Sequence, residues 1–387
     1  MRPSLTPPHS NALSAVQRLC NAADPYPDDL EDTLFLEAMN QAVAWHYERN
    51  NFFRVFLNSK ELAPGRLKDM HELEEFPLIH ANFFKTHETL SVPREEIALT
   101  LTSSGTTGPK SRMLFDRWSI EAGRRMVDDV HDRLGLTDTE QEANYLVLNY
   151  EPVPGMSRGT ANTSKYLTRY APAREIFYAL RFVGQGRHEF DAFGCVEALK
   201  RFASQDIPVR IIGFPAFLFF ILERMQARGL GPLQFSPRSL LFTAGGWKGY
   251  ASREIPREEL IRLTEEMLGI PGERIRDSFG SVEHSVPYIE CPNHHKHVPV
   301  WSRAVIRDVR TLRAVPYGTP GFLGFFAPHM TSVPAVGVLM GDLASMYPGE
   351  ACGCGISSPY FNILGRAGTS EHKSCAVSAT ELLKRAK

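Results

Sequence analysis

The stretch that decides the fold of this chain is "LTLTSSGTTGPKSRML", residues 99–114. Serine, threonine and glycine crowd its centre, and a single lysine, Lys110, follows a proline. Glycines let backbone N–H groups approach a ligand, hydroxyls add donors, and the lysine adds a positive charge. The stretch also follows a predicted strand, "REEIALTLT". We therefore expect a phosphate-binding loop, the alternative being a polar surface loop that binds nothing.

This loop is not the P-loop of nucleoside triphosphatases. That motif has a glycine directly before the lysine and another glycine five residues earlier. Pro109 and Ser104 occupy these two positions here. The phosphate-binding interpretation therefore has to rest on a different class of enzyme.

Composition narrows the class of protein further. The 387 residues carry 43 basic and 44 acidic side chains, so the formal net charge is −1 and no global field favours nucleic acid or an anionic membrane. The longest apolar run, residues 211–222, is too short to span a bilayer and predicts a buried strand, turn and helix. The N-terminus lacks the apolar core of a secretory signal. We expect a cytoplasmic protein without a membrane span, whose six cysteines are thiols or metal ligands.

Strand-like and helical segments alternate along the middle of the chain, which predicts an α/β fold with a largely parallel sheet. An irregular lead-in of about 30 residues precedes a helix over residues 30–50, and a β-rich extension of the same body begins near Cys291. The strand-like stretches are "NYLVLNY", "PVRIIGF", "RSLLFTAGG" and "ERIRDSFG"; the helical ones are "DRWSIEAGRRMVDDVHDRLGL", "FGCVEALKRFA", "AFLFFILERMQARG" and "REELIRLTEEMLG". Because "TSSGTTG", "TAGG" and "SFGSVE" each follow a strand, we expect them to meet at one cleft.

Five motifs in order resemble the adenylate-forming enzymes, which include acyl-CoA synthetases, peptide-synthetase adenylation domains and luciferases. They are "TSSGTTGPKS", "TAGG" (243–246), "DSFGSVE" (277–283), "GDL" (341–343) and "LGRAG" (364–368). The chain is most similar to the acyl-protein synthetases, the fatty-acid-activating component of bacterial bioluminescence reductases. Phenylacetate-CoA ligase-like enzymes are the nearest competitor. Met340 replaces the threonine that usually precedes the Gly-Asp pair.

The resemblance implies ATP and Mg²⁺ as cofactors and assigns residues to them. The loop would bind the β- and γ-phosphates, Phe279 and the Gly-Gly turn would line the adenine pocket, and Asp342 would accept hydrogen bonds from the ribose. Glu283 would hold Mg²⁺, and His284 would line the carboxylate site, with core packing as its alternative. The nucleotide-binding set is Ser103, Ser104, Gly105, Thr106, Thr107, Gly108, Lys110, Gly245, Gly246, Phe279, Gly280, Glu283, Asp342 and Arg366; Lys110, Glu283 and His284 are also candidate catalytic residues.

A second group of residues is typical of a structural zinc site. Cys291 and His297 form C-x5-H, and Cys352 and Cys354 form C-x-C. Three cysteines and one histidine are a common tetrahedral zinc set, with no open position for chemistry. His294 or His295 are alternatives for the fourth ligand, although the resembling ligases favour His297. Unrelated free thiols are the competing interpretation.

The C-terminus departs from the family pattern. By the resemblance, a catalytic domain spans residues 1–365, and residues 366–387 form only a short hinge and tail in place of a mobile domain with its lysine. Lys373, Lys384 and Lys387 are candidate substitutes for that lysine. Cys375 lies beside His372 and Lys373, and neighbouring positive charge favours the thiolate. The acyl-protein synthetases use such a cysteine to carry the acyl group; a thiol without function is the alternative.

The function predicted from the sequence is ATP-dependent activation of a carboxylic acid, expected to be a fatty acid, as acyl-AMP, followed by transfer to a protein cysteine. A partner reductase or another protein acyl acceptor is expected. One alternative is an aryl- or acyl-CoA ligase of the phenylacetate-CoA ligase type. Another, from a different class, is an inactive adenylate fold that serves as a binding partner. The sequence leaves the acid, the final acceptor and the oligomeric state open.

Overall fold

The computed structural model describes residues 4–102, 111–153 and 166–367. The helices are α1 (Ser14–Cys20), α2 (Asp32–Arg49), α3 (Asn51–Asn58), α4 (Met70–Glu75), α5 (Phe83–Thr86), α6 (Arg117–Arg133), α7 (Ala192–Ala203), α8 (Pro215–Ala227) and α9 (Arg257–Leu268). The strands are β1 (Ile79–His80), β2 (Ile97–Thr102), β3 (Arg112–Asp116), β4 (Ala143–Tyr150), β5 (Ala173–Gly184), β6 (Arg187–Phe190), β7 (Val209–Gly213), β8 (Leu240–Ala244), β9 (Ile275–Ser281), β10 (His284–Ile289), β11 (Lys296–His297), β12 (Arg303–Arg307), β13 (Gly321–Phe326), β14 (Gly337–Tyr347) and β15 (Tyr360–Arg366). Short 3-10 turns cover Arg94–Glu96, Lys248–Arg253, Gly272–Arg274 and Gly349–Cys352.

The central sheet has seven strands in the order β10-β9-β8-β7-β4-β5-β6. The five strands from β9 to β5 run parallel, and β10 and β6 are antiparallel edges. The apolar segments predicted to be strands are the middle ones, because strands covered on both faces need apolar side chains throughout. The predicted α/β class with a largely parallel sheet is confirmed.

A second sheet is formed by the β-rich part of the chain, as predicted. Its antiparallel order is β11-β15-β14-β13-β12, and β1 from the N-terminal region adds to β14 in parallel. Two apolar cores hold the molecule together. One lies under α1, α2, α6 and the second sheet, and the other lies between the central sheet and α7, α8 and α9.

One prediction from the sequence needs correction. The first 30 residues are not wholly irregular, because α1 buries Val16 and Leu19 beneath α2. Seven residues carry too short a periodic pattern to stand out. The strand predicted ahead of the phosphate loop is confirmed as β2, and it pairs with β3 in a separate two-stranded sheet.

The hairpin β5–β6 was not foreseen from the sequence. Its turn uses positive φ angles at Gly184, Gln185 and Gly186. Glycine adopts this conformation without strain, so "GQG" between two apolar-polar stretches was the available signal. Among the described helices, none is both long enough and apolar enough to cross a membrane.

Three buried histidines predict a pH-dependent stability. Burial lowers the pKa of His46, His131 and His329 to about 4 each, from an ordinary value of 6.5. Between pH 6.5 and pH 4 the unfolded chain binds more protons than the folded one. The contribution of these histidines to the free energy of unfolding is therefore fully present above pH 6.5 and is lost as the pH falls toward 4. Each shift corresponds to about 3 kcal/mol.

We expect the melting temperature to fall steeply between pH 6.5 and 4. In His46→Gln the number of protons taken up on unfolding at pH 5 should drop by about one, because one depressed histidine is gone. Calorimetry across this pH range measures it. His71→Gln, at an exposed histidine, is the matched control and should leave the slope unchanged. Equal slopes for the wild type and His46→Gln would contradict the assignment.

Candidate functional site

The end of β8 forms a tight turn at the carboxyl edge of the central sheet. Gly245 and Gly246 have φ angles of +81° and +64°, which favour glycine. A Cβ added at Gly246 would meet no heavy atom within 4 Å, so the backbone there borders open space. Parallel strands gather ligand-binding loops at this edge. The turn predicted to line an adenine pocket therefore has room for a ligand beside its backbone.

The neighbouring strand β9 ends in the aromatic-Gly-x-x-Glu motif. Phe279 is half-buried, and its ring centroid lies 5.9 Å from both Phe325 and Phe361. Gly280 is exposed, and a Cβ added there would also meet no heavy atom within 4 Å. The aromatic core thus supports one side of the Phe279 ring, which stays partly accessible to a planar ligand.

Glu283 lies in the turn between β9 and β10 and is only 6% exposed. The Ser281 hydroxyl donates to its carboxylate. Among the described residues, no cationic side chain lies within ion-pair distance of this carboxylate. A buried carboxylate without a countercharge is costly, so the position suits a bound cation.

Asp342 and Arg366 face each other across β14 and β15, where they are register partners. The Arg366 Nε lies 3.9 Å from Asp342 Oδ1. Burial raises the pKa of Asp342, Arg366 lowers it, and the charge of Glu283 raises it again. The charge of Glu283 thus acts on Asp342, although the two carboxylates belong to different sheets.

The surroundings of the His284 side chain differ from those of its neighbour Glu283. The imidazole is 2% exposed, stacks on Phe325 at 4.6 Å, and its Nε2 shares a hydrogen bond of 2.8 Å with the Tyr288 hydroxyl. Burial holds the pKa of His284 well below its usual range. This geometry favours the packing alternative, and a catalytic role for His284 stays a prediction without geometric support.

Several predicted site residues lie outside the described residues. They are the phosphate-loop residues Ser103, Ser104, Gly105, Thr106, Thr107, Gly108 and Lys110, and the proposed acyl carrier Cys375. Their flanks are described. β2 and β3 border the loop, and β15 carries Arg366 shortly before the tail.

The two pairs predicted to bind zinc meet in space. One ligand atom each from Cys291, His297, Cys352 and Cys354 lies within 4.8 Å of the others. The Sγ atoms of Cys291 and Cys352 are 3.4 Å apart, and Cys354 Sγ is 3.3 Å from His297 Nε2. Chain segments about 55 residues apart converge here because β11 pairs with β15.

The surroundings of this cluster distinguish among the three candidate histidines. His297 Nδ1 bonds the Ser358 carbonyl at 2.6 Å, which orients Nε2 toward the cysteines as in metal-binding histidines. His295 Nδ1 contacts Cys352 Sγ at 3.2 Å from outside the set. His294 Nδ1 lies 3.6 Å from the Glu290 carboxylate instead. The donor set therefore fits Cys₃His ligation of a zinc ion.

A charge network, which sequence reasoning missed, joins this cluster to the Gly-Gly turn at the carboxyl edge of the central sheet. Lys296 Nζ lies 3.1 Å from Glu290 Oε1 and 3.0 Å from Asp277 Oδ2. The Thr243 hydroxyl donates to Asp277 Oδ1 at 2.8 Å, and Arg257 Nη2 donates to Glu290 at 2.6 Å. Glu290 and Lys296 directly adjoin Cys291 and His297 in the chain, while Thr243 precedes the Gly-Gly turn.

The charges in this network hold one another ionised. Burial alone would raise the pKa of Glu290, but Lys296 and Arg257 outweigh it and hold that pKa well below its usual range. Burial alone would lower the pKa of Lys296, but Asp277 and Glu290 outweigh it and raise that pKa. The sequence did not indicate this network, because charged residues at such spacings are common in any protein and lie mostly at the surface.

Comparisons with known proteins find matches over most of the chain. A family model described as "Acyl-protein synthetase, LuxE" matches residues 10–384. A long-chain-fatty-acid–luciferin-component ligase of Aliivibrio fischeri is 25% identical over 358 residues, covering 90% of this chain and 88% of the relative. A phenylacetate-coenzyme A ligase of Thermus thermophilus is 23% identical over 328 residues, covering 82% of this chain and 66% of that enzyme.

A solved structure shares the fold. It is an open conformation of 2-hydroxyisobutyryl-CoA ligase in complex with 2-HIB-AMP and CoA, with a TM-score of 0.64 and 17% identity. The match covers 91% of this chain and 79% of that chain. The likeness shows that the two chains have the same fold.

Proposed function

Because the chain belongs to the LuxE family of acyl-protein synthetases, we propose that it uses ATP to activate a fatty acid and passes the acyl group to a protein thiol. The observation that carries the proposal is the convergence of Glu283 and Asp342. Glu283 is buried and Asp342 partly buried; they come from two different sheets, and the charge of Glu283 raises the pKa of Asp342. A magnesium nucleotide offers the hydroxyls and the cation that such a pair would bind.

The first half-reaction would form the acyl-adenylate. A carboxylate oxygen of the acid attacks the α-phosphorus of ATP, the bond to the bridging oxygen breaks, and pyrophosphate leaves. The side chain of Lys110 and the loop hydroxyls would bind the triphosphate and shield the two anions from each other. Asp342 would accept from the ribose hydroxyls, since an ionised carboxylate is an acceptor at both oxygens. Phe279 and the Gly245–Gly246 backbone would hold the base.

Two metals fit the residues present. Glu283 would hold Mg²⁺, which supplies charge neutralisation at phosphate oxygens when bound. Cys291, His297, Cys352 and Cys354 would hold a structural Zn²⁺, because four protein ligands leave no open position.

The second half-reaction would use Cys375. Its thiolate attacks the acyl carbon, the bond from that carbon to the phosphate oxygen breaks, and AMP leaves with the electron pair. The resulting thioester would pass the acyl group to a partner protein, for which a reductase is the proposed class. The reaction needs ATP and a reduced thiol, which the cytoplasm supplies, so we propose that location.

ATP–pyrophosphate exchange tests the adenylation step. With a panel of fatty acids, the wild type should catalyse exchange, and Asp342→Ala should raise the KM for ATP by about 10-fold or more because the ribose loses a charged acceptor. Glu266→Gln, which removes an exposed carboxylate on α9, is the matched control. Absence of exchange with every acid would favour the inactive binding partner.

The alternative ligase class differs from the proposed enzyme in whether the release of AMP depends on CoA. A CoA ligase of the phenylacetate type would release AMP only when CoA is present, whereas the proposed enzyme would release it without CoA. The family model and the 88% coverage of the Aliivibrio fischeri relative favour the protein acceptor. Strict dependence of AMP release on CoA would reverse this choice.

Removing the lysine of the charge network is expected to affect both the stability of the protein and its affinity for ATP. In Lys296→Met the carboxylates of Glu290 and Asp277 lose their shared cation, so we expect a destabilisation of about 3 kcal/mol. Because Asp277 also holds Thr243, the KM for ATP should rise about 10-fold. Chemical denaturation and pyrophosphate exchange measure the two effects.

Lys200→Met is the control for this change, because Lys200 pairs with Glu197 on the surface. It should alter stability by less than about 1 kcal/mol and leave the KM for ATP unchanged. An unchanged KM for ATP in Lys296→Met would show that the network does not position the turn.

A further inference from the structure

A cavity of about 440 Å³ opens at the amino edge of the central sheet, away from the nucleotide edge. Its lining comes from the segments that lead into β4, β8 and β9, together with Arg210 near the start of β7. The lining residues are Gly135, Thr137, Asp138, Thr139, Glu140, Arg210, Pro237, Arg238 and Arg274. Strand β8 alone has five residues, so roughly 16 Å of strand separate this edge from the Gly-Gly turn. The cavity is therefore distinct from the proposed nucleotide site.

Three arginines converge on this cavity, and the protein itself fixes two of them in place. Arg274 donates to three backbone carbonyls, those of Gly135 at 3.0 Å, Arg238 at 3.2 Å and Ser239 at 3.2 Å. Arg210 Nη1 donates to the Leu136 carbonyl at 2.7 Å. Hydrogen bonds to backbone carbonyl oxygens orient a guanidinium, but they do not neutralise its positive charge.

The charge balance of the cavity is positive at its buried end. Asp138 pairs with Arg238, the most exposed of the three arginines. Among the described residues, no carboxylate oxygen lies within 4 Å of the guanidinium of Arg210 or Arg274. Arg210 is only 4% exposed. Burial is the main cause that lowers the pKa of Arg210 and of Arg274, and the charge of Asp138 partly opposes it at both.

We propose that this cavity is a binding site for the phosphate group of a small metabolite, held by Arg210 and Arg274. A guanidinium is planar and presents paired donors that match phosphate oxygens, and a phosphate dianion would neutralise both side chains. Desolvated charge without a partner is costly, so an anion bound here would offset that cost. The volume also leaves room for an organic group attached to the phosphate.

Thermal unfolding with inorganic phosphate as the probe tests this site. At constant ionic strength, phosphate should raise the melting temperature of the wild type above its value in chloride. In Arg274→Gln and in Arg210→Gln the apparent affinity for phosphate should fall at least 10-fold. Arg262→Gln removes an exposed arginine on α9 and should keep the full phosphate effect.

Two further variants separate this site from others. Lys110→Ala should keep the phosphate effect, and its loss there would place the phosphate in the proposed nucleotide loop and overturn the inference. If Arg210→Gln does not fold, Arg274→Lys provides a second test. It keeps the positive charge but removes the paired N–H donors of the guanidinium, so it should still weaken phosphate binding. A wild type stabilised equally by phosphate and chloride, or by citrate and not by phosphate, would also refute the site.

Discussion

Cys352→Ser is expected to remove the zinc ion and to lower the melting temperature by about 5 °C. Cys352 is 7% exposed and its Sγ lies among the other three donors of the cluster. A serine hydroxyl is a far weaker ligand than a thiolate, so the site would keep two cysteines and one histidine. Loss of a structural metal costs about 4 kcal/mol, and in a chain of this size each kcal/mol moves the melting temperature by about 1.2 °C.

Metal analysis and calorimetry of the purified protein measure these effects together. The wild type should contain close to one equivalent of zinc, and Cys352→Ser should contain little. Cys195→Ser changes another buried cysteine, one outside the cluster, and should keep the zinc. Less than half an equivalent of zinc in the wild type would remove the proposed site.

Cys375→Ser should abolish covalent labelling by a radioactive fatty acid while leaving ATP–pyrophosphate exchange intact. A serine hydroxyl has a far higher pKa than a thiol, so without a dedicated base it does not attack the acyl-adenylate. We expect protein-bound label to fall at least 100-fold. Exchange should persist because it requires only the nucleotide site and the acid.

The label must be attached as a thioester for this test to be decisive. Neutral hydroxylamine should release it from the wild type. Cys20→Ser, at a buried thiol on α1, should be labelled like the wild type. Undiminished labelling of Cys375→Ser would show that another residue carries the acyl group.

The identification of the family followed from local sequence, because its motifs are continuous. Each of "TSSGTTGPKS", "TAGG" and "DSFGSVE" contains its glycines and polar side chains within ten residues. A turn that approaches phosphate or a nucleoside closely needs those residue types at fixed spacing. The alternation of apolar strands with amphipathic helices likewise predicted the parallel sheet, since parallel strands need helical crossovers.

The cysteine–histidine cluster was predictable for a related reason. Cysteine and histidine in C-x5-H and C-x-C pairs are uncommon, so their chemistry alone suggested that the two pairs bind one metal ion together. Whether the pairs meet, and that His297 joins the cluster rather than His294 or His295, depended on the pairing of β11 with β15. Backbone hydrogen bonds between distant segments make that pairing, and no local pattern specifies it.

The sequence by itself therefore determined the fold class, the family and the chemical types of the site residues. Only the tertiary structure decided which charges are buried together, as in the Lys296 network and at Arg210 and Arg274. It also packed the His284 imidazole into the aromatic core, against Phe325. The physical reason is that burial and electrostatic energy depend on distances between residues far apart in the chain, whereas motifs and periodicity record only local geometry.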